Sequence, residues 1–213
     1  MEEIGGLAVY SGRQSGDILL KNKNRKGEDL PPHYNVDKAF KTINFPHGRF
    51  ERRPVVLATY ERMSAGQMPT IIRVDNVTRN GFRYLGQNEE AYYHDNETPT
   101  PFKWATTNFI AIEIGDAEGL PFDLKVFRRN VNPNDSTQGG IDHRWLRVNY
   151  GQRMDQPDTF AQVQSFRGWD PFGLRFTHGP NPYYIRLRIE EEQSHDTETF
   201  HVKEDLGVIV IGN

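Results

Sequence analysis

Arg73-Val74-Asp75-Asn76-Val77-Thr78-Arg79-Asn80-Gly81-Phe82 begins as a short strand, passes through an Asn/Thr/Gly turn and returns on an aromatic residue that opens another strand. Arg175-Phe176-Thr177-His178-Gly179-Pro180-Asn181-Pro182-Tyr183-Tyr184 repeats that order, with an aromatic residue nine positions after the arginine in both stretches. The echo extends to other anchors. Pro54 and Pro157 lie 103 residues apart, Arg73 and Arg175 102, Glu89-Glu90 and Glu190-Glu191 101. His94-Asp95-Asn96-Glu97-Thr98 and His195-Asp196-Thr197-Glu198-Thr199 are offset by 101, and Ile110-Ala111-Ile112 and Ile209-Val210-Ile211 by 99. A slowly drifting offset near one hundred is far too long for a solenoid unit and predicts two tandem copies of one domain.

The strands within each copy follow from the pattern. Lys41-Thr42-Ile43-Asn44-Phe45 alternates polar and apolar residues, as a strand with one buried face does. Pro54 to Tyr60, Thr70 to Val74, Phe82 to Leu85 and Asn108 to Glu113 complete the first half, with Gly, Pro, Asn and Ser between them. No long segment carries the 3.6-residue apolar period of a helix, so the expected class is all-β, two tandem six-stranded antiparallel β-sandwiches. The divisions are a 1–16 N-terminal arm, a 17–115 sandwich that opens on Asp17-Ile18-Leu19-Leu20, a 116–121 linker punctuated by Gly119 and Pro121, and a 122–213 sandwich. Tyr184-Ile185-Arg186-Leu187-Arg188-Ile189 is the cleanest alternating strand, with an Ile/Leu face for the core and an arginine face for solvent or an interface.

Composition bounds the function. The 213 residues carry 26 basic and 29 acidic side chains, a net charge of −3, and the two signs are well mixed. Neither nucleic acid nor an anionic membrane is an expected partner. The single basic run, Lys21 to Lys26, is followed at once by Glu28 and Asp29 and reads as a solvated loop. The chain has no cysteine, which removes disulfides and thiolate metal sites, while 12% aromatic residues predict a small aromatic-rich core. No apolar run approaches the ~20 residues of a membrane span and no secretion signal is readable, so membrane insertion is not expected.

Ile43-Asn44-Phe45, Arg53-Pro54-Val55-Val56-Leu57, Arg73-Val74-Asp75-Asn76-Val77-Thr78 with Gly81-Phe82, and Phe109-Ile110-Ala111-Ile112-Glu113 resemble, in order and spacing, the H-type lectin domain. The second half resembles it more weakly through Pro157 to Val163, Arg175-Phe176 and Gly207 to Ile211. The resemblance implies six-stranded sandwiches, a homotrimer, and amino-sugar sites between protomers. Pro69 falls near the place of the family's sugar-binding arginine, and Tyr92-Tyr93-His94 is the nearest equivalent of its aromatic-histidine pair.

The duplicated His-Asp-x-Glu-Thr loops are the candidate glycan sites, formed by Tyr92, Tyr93, His94, Asp95 and Glu97 in the first half and His195, Asp196 and Glu198 in the second. Carboxylates accept hydrogen bonds from sugar hydroxyls and aromatic rings stack on apolar sugar faces. The bland alternative is that Asp and Thr cap each loop through local backbone bonds. A metal held by His195, Asp196, Glu198 and His201 is chemically conceivable, but Thr100 stands where the first copy needs the fourth ligand, and no cofactor is expected. Glu89-Glu90 and Glu190-Glu191-Glu192 are adjacent runs rather than a pair across a cleft, and nucleophile-elbow, phosphate-loop and zinc-helix motifs are all missing, so an enzyme is not expected. The expectation is a lectin-like adhesion or receptor-binding protein, extracellular or on a virion surface as a phage spike or fibre component, with a cytoplasmic pool allowed by the unreadable signal. A structural connector of a larger particle is the alternative.

Overall fold

A computed structural model describes residues 2–16, 40–63, 70–88, 105–168, 170–177, 181–193 and 199–212. These residues form strands and connections without a helix, in several antiparallel sheets. The first half contributes β1 (Glu3–Ile4), β2 (Leu7–Gly16), β3 (Lys41–Asn44), β4 (Pro54–Met63), β5 (Thr70–Thr78), β6 (Gly81–Asn88) and β7 (Ala105–Glu113). The second contributes β8 (Gly115–Asp116), β9 (Asp123–Arg129), β10 (Val131–Asn132), β11 (Asp135–Gly139), β12 (Leu146–Asn149), β13 (Asp158–Val163), β14 (Phe172–Phe176), β15 (Tyr184–Glu191) and β16 (Leu206–Gly212).

The sheets run β1-β2-β7-β4 and β3-β6-β5 in the first half, and β13-β16-β9-β8 and β12-β15-β14 in the second, with β10-β11 as a separate hairpin. Read from β2 and from β9, the strand orders of the halves coincide. Within the N-terminal arm, Leu7–Gly16 is a full strand laid along β7 from Val9↔Ile112 to Gly16↔Ala105. The stretch expected as a linker is also engaged. Gly115 and Asp116 pair with Val126 and Lys125, and the Ala117 N–H donates to the Leu124 carbonyl at 2.9 Å.

Register corrects two of the sequence equivalences. Arg73 lies opposite Leu85 on β6, and Arg175 lies opposite Arg188 on β15. The second hairpin is therefore one residue longer between these points, and the offset along β15 is 103. Ile185, not Tyr184, occupies the place of Phe82, and Glu190 corresponds to Gln87 rather than to Glu89. Buried facing agrees: Ile43 pairs with Phe82 and Val148 with Ile185, all four packed against a core.

Among the described residues four apolar clusters result, the smallest being Phe40 and Leu85 with Phe166 packed against them. The first is aromatic, with Phe45, Phe50, Phe82 and Phe109 and with Tyr10 packed against them, ring centroids 4.9–5.9 Å apart. The second is aliphatic, around Val148, Leu187, Ile189, Leu206, Val208 and Val210. The third joins the halves: Leu7, Val55 and Ile112 from the outer face of one four-stranded sheet meet Leu124, Val126 and Ile209 from the other. At about 1.5–3 kcal/mol per fully buried aliphatic side chain, these six contribute on the order of 10 kcal/mol, far more than a polar inter-domain surface gives. The halves therefore form one stacked body.

Gly81 shows how tightly the decisive turn is built. A Cβ there would sit 2.2 Å from the Ile43 carbonyl oxygen, so only glycine lets β6 start beside β3. Asn76, at φ 48°, lies in the bulge between Asp75 and Thr78, where the register of β5 against β6 shifts.

Candidate functional site

Tyr92, Tyr93, His94, Asp95, Glu97, His195, Asp196 and Glu198 lie outside the described residues. What the described residues bring together is a polar junction between the halves, built around the decisive stretch itself.

Arg73 points away from the first core, because its neighbours Ile72 and Val74 point into it. It is nevertheless only 2% exposed. The second half covers it: the rings of Phe166 and Phe172 lie 4.4 Å and 4.3 Å from its guanidinium carbon, and the Gly168 carbonyl accepts from Nη2 at 3.1 Å. Gln87 Oε1 accepts from Nη1 at 2.7 Å, and Glu204 Oε1 pairs with Nη2 at 3.0 Å. Glu204 is fully buried and also accepts from the Ser165 hydroxyl at 2.5 Å and from the Arg167 and Gly168 N–H groups, each at 2.9 Å. His201 closes the chain, with Nδ1 2.7 Å from Glu191 and Nε2 3.4 Å from Glu204. Gly168 is required here, since a Cβ would meet the His201 ring at 2.4 Å.

This cluster is a staple. Its two carboxylates face opposite edges of the imidazole, so they do not converge on one ion. Among the described residues no group of three or more metal-binding side chains is arranged to hold a metal. Its pH dependence follows from Glu204. Burial raises that carboxyl, but the hydrogen bond to His201, the Arg73 charge and the donors from Ser165 and Gly168 outweigh it, and the net effect lies below the ordinary 4.5. A carboxyl depressed in the folded state contributes stability above its unfolded pKa and loses it as pH falls through the folded one. The thermal midpoint is expected to be flat from neutral pH down to about 5 and to fall below about 4.5, with Glu204→Gln flattening that fall. A fall of equal steepness in Glu204→Gln would assign the acid limb to other groups.

Beside the staple a cleft of about 290 Å³ opens along the junction, lined by Arg53, Asp75, Asn76, Arg83, Arg128, Arg167 and Asp205 among others. Asp205 Oδ1 is held by the Val131 N–H at 2.7 Å and by Arg167 at 3.2 Å. Asp75 holds Arg83 at 2.5 Å through Oδ2 and the Phe166 N–H at 3.2 Å through Oδ1. Arg128 donates to the Pro54 carbonyl at 3.1 Å. Burial, then repulsion from Arg53, lowers its pKa to about 10 against the opposing pull of Asp205. Arg53 itself is exposed and has no hydrogen bond or ion pair among the described residues. Four guanidiniums against two carboxylates leave this wall with a positive excess.

Sequence reasoning marked Arg73 as an anchor of the duplication and quoted Arg53 and Arg73 in the family resemblance without a site role for either, and it passed over Arg128, Gln164, Glu204 and Asp205. The one available signal was that Gln162 and Gln164 interrupt an apolar strand at a spacing of two. No family model, curated protein or solved structure matches the chain.

Proposed function

We propose that the protein is a carbohydrate-binding adhesion or receptor-binding module made of two copies of a six-stranded sandwich of the H-type-lectin kind. The observation that carries this reading is the junction cleft. Its volume lies near the lower end of ligand pockets, about 300–1,000 Å³, which suits a sugar residue rather than a large cofactor. Carboxylates and Asn76 can accept hydroxyl hydrogen bonds, and the free Arg53 fork beside Arg128 suits a carboxylate in bidentate geometry. The substrate class is therefore an acidic surface glycan bearing uronic or sialic-type carboxylates. A homotrimeric setting on a virion or other surface would let weak single sites act together.

The test is an array of neutral and acidic cell-surface and bacterial glycans, probed with the native chain and with Arg53→Ala, His94→Ala and His195→Ala. Retention of acidic glycans, weakened at least about tenfold by Arg53→Ala at unchanged thermal midpoint, is the expected result. Weakening by the histidine variants alone would move the site to the duplicated loops. No retention by a folded sample would leave the structural connector, which the open cationic sheet of the second half favours.

A further inference from the structure

The outer faces of β3-β6-β5 and β12-β15-β14 are equivalent, yet one is covered and the other open. On the first, Arg73 lies beneath Phe166 and pairs with Glu204, and Arg83 pairs with Asp75. On the second, the same places hold Arg175, whose side chain is 62% exposed, and Arg186, which faces solvent. Thr177, whose N–H bonds to the Arg186 carbonyl at 3.1 Å, stands where Asp75 would be. The Arg186 guanidinium accordingly has no ion pair or hydrogen bond among the described residues.

The open face also adds charge. Ile185, Leu187 and Ile189 point into the second core, which turns Tyr184, Arg186, Arg188 and Glu190 outward. Arg147 lies directly opposite Arg186, and Arg175 directly opposite Arg188. Arg188 takes the place of the apolar Leu85, and Arg147 that of Thr42. Among the described residues these four arginines are matched by one ion-paired carboxylate, Glu190, which engages Arg175 and Arg188 only, on a chain whose net charge is −3. Like charges directly opposite on a sheet destabilise it, so this face holds two such pairs at a cost to folding. Arg188 lies 5.0 Å from the centre of the half-exposed Trp145 ring, and Arg147 3.8 Å from that of Tyr184. The rings thus stack on guanidiniums, which spread those charges flat.

We propose that this face docks an extended acidic polypeptide segment of a partner protein. The covered twin shows the chemistry: there, polypeptide supplies a carboxylate and an aromatic ring to the equivalent arginine. Charge complementarity gives the sign. The arginine rows lie two residues, about 6.8 Å, apart along β15, which matches the repeat of same-face side chains in an extended peptide. Nucleic acid fits less well, because the aromatic faces are taken by guanidiniums and the rest of the chain is acidic.

The test is calorimetric titration of the full chain with a synthetic peptide of about ten residues, alternating glutamate and threonine around a central phenylalanine. The lysine counterpart of that peptide, a thymidine oligonucleotide and a sulfated polysaccharide serve as competitors for the assignment. The acidic peptide is expected to bind and to weaken at least about tenfold in Arg186→Glu and several-fold in Arg186→Gln. Both variants should keep or raise the thermal midpoint, since each relieves an arginine pair. Silence of the acidic peptide, whether or not the oligonucleotide or the sulfated polysaccharide binds, would overturn the proposal. Peptide binding indifferent to both Arg186 variants would overturn the assignment to this face.

Discussion

Glu204→Ala is expected to destabilise the fold by about 3–5 kcal/mol, the cost of leaving one member of a buried ion pair alone. The loss concentrates at one residue because Glu204 satisfies five donors or charges at once: Arg73, the Ser165 hydroxyl, the Arg167 and Gly168 N–H groups, and His201. Alanine would leave the Arg73 charge between two phenylalanine rings with only neutral acceptors, Gln87 and the Gly168 and Asp170 carbonyls. Burial already lowers the Arg73 pKa to about 10 despite the attraction of Glu204, Asp75 and Asp170, so the charge is held at a cost even in the intact pair. Replacing both residues by methionine should recover only the part of the loss that the unpaired Arg73 charge causes, because the Ser165 hydroxyl and the Arg167 and Gly168 N–H groups would still lack their acceptor. Urea unfolding decides the matter: the midpoint of Glu204→Ala should drop with an unchanged slope. A loss below about 1 kcal/mol would mean that the staple adds little to a junction held by the apolar seam.

Gln164→Leu is expected to cost about 2–4 kcal/mol, because it leaves two backbone groups buried and unpaired at about 1–3 kcal/mol each. β4 and β13 are the facing edges of their sheets, and an unpaired edge invites pairing with another chain. Gln164 closes that edge from the side. Its Oε1 accepts from the Val56 N–H at 2.9 Å, and its Nε2 donates to the Val56 carbonyl at 2.7 Å and to the Gln162 carbonyl at 3.1 Å. Gln162 repeats the device one step along, accepting from the Ala58 N–H at 2.6 Å. Leucine fills similar space without either function, so the loss reports hydrogen bonding rather than packing. Besides a lower midpoint, light scattering should detect self-association of the exposed β4 edge. A soluble Gln164→Leu protein of native stability would show that water serves the edge as well as the glutamine does.

The all-β class was legible because alternation, turn residues and the lack of a helical period are local properties. The echo between the halves was legible as a spacing, kept by Pro54 and Pro157 and by Ile110 and Ile209, and the strand orders of the halves coincide. Register was not legible. Whether Tyr184 or Ile185 stands for Phe82 turns on one residue in a hairpin connection, and either assignment puts an apolar or aromatic residue near the right place. The burial of Arg73 was also hidden, because an arginine on the outward side of a strand reads as solvated in every local pattern. Its partner Glu204 is 131 positions away and sits among several equally plausible carboxylates. The cleft shares that difficulty, since Arg53, Asp75, Arg128 and Asp205 come from both halves and no spacing connects them.

By itself the sequence determined what short-range chemistry determines: strands from alternation, turns from Asn, Gly and Pro, and the inward Ile/Leu face of Tyr184 to Ile189. Tertiary structure alone decided that the two four-stranded sheets bury Leu7, Val55 and Ile112 against Leu124, Val126 and Ile209. It also decided that one outer sheet face is covered while its twin stays open. The physical reason is that a strand has two faces, and alternation tells them apart without saying which outward face will meet another surface. That choice rests on long-range packing, in which apolar burial between the halves outweighs the cost of enclosing Arg73 and Glu204.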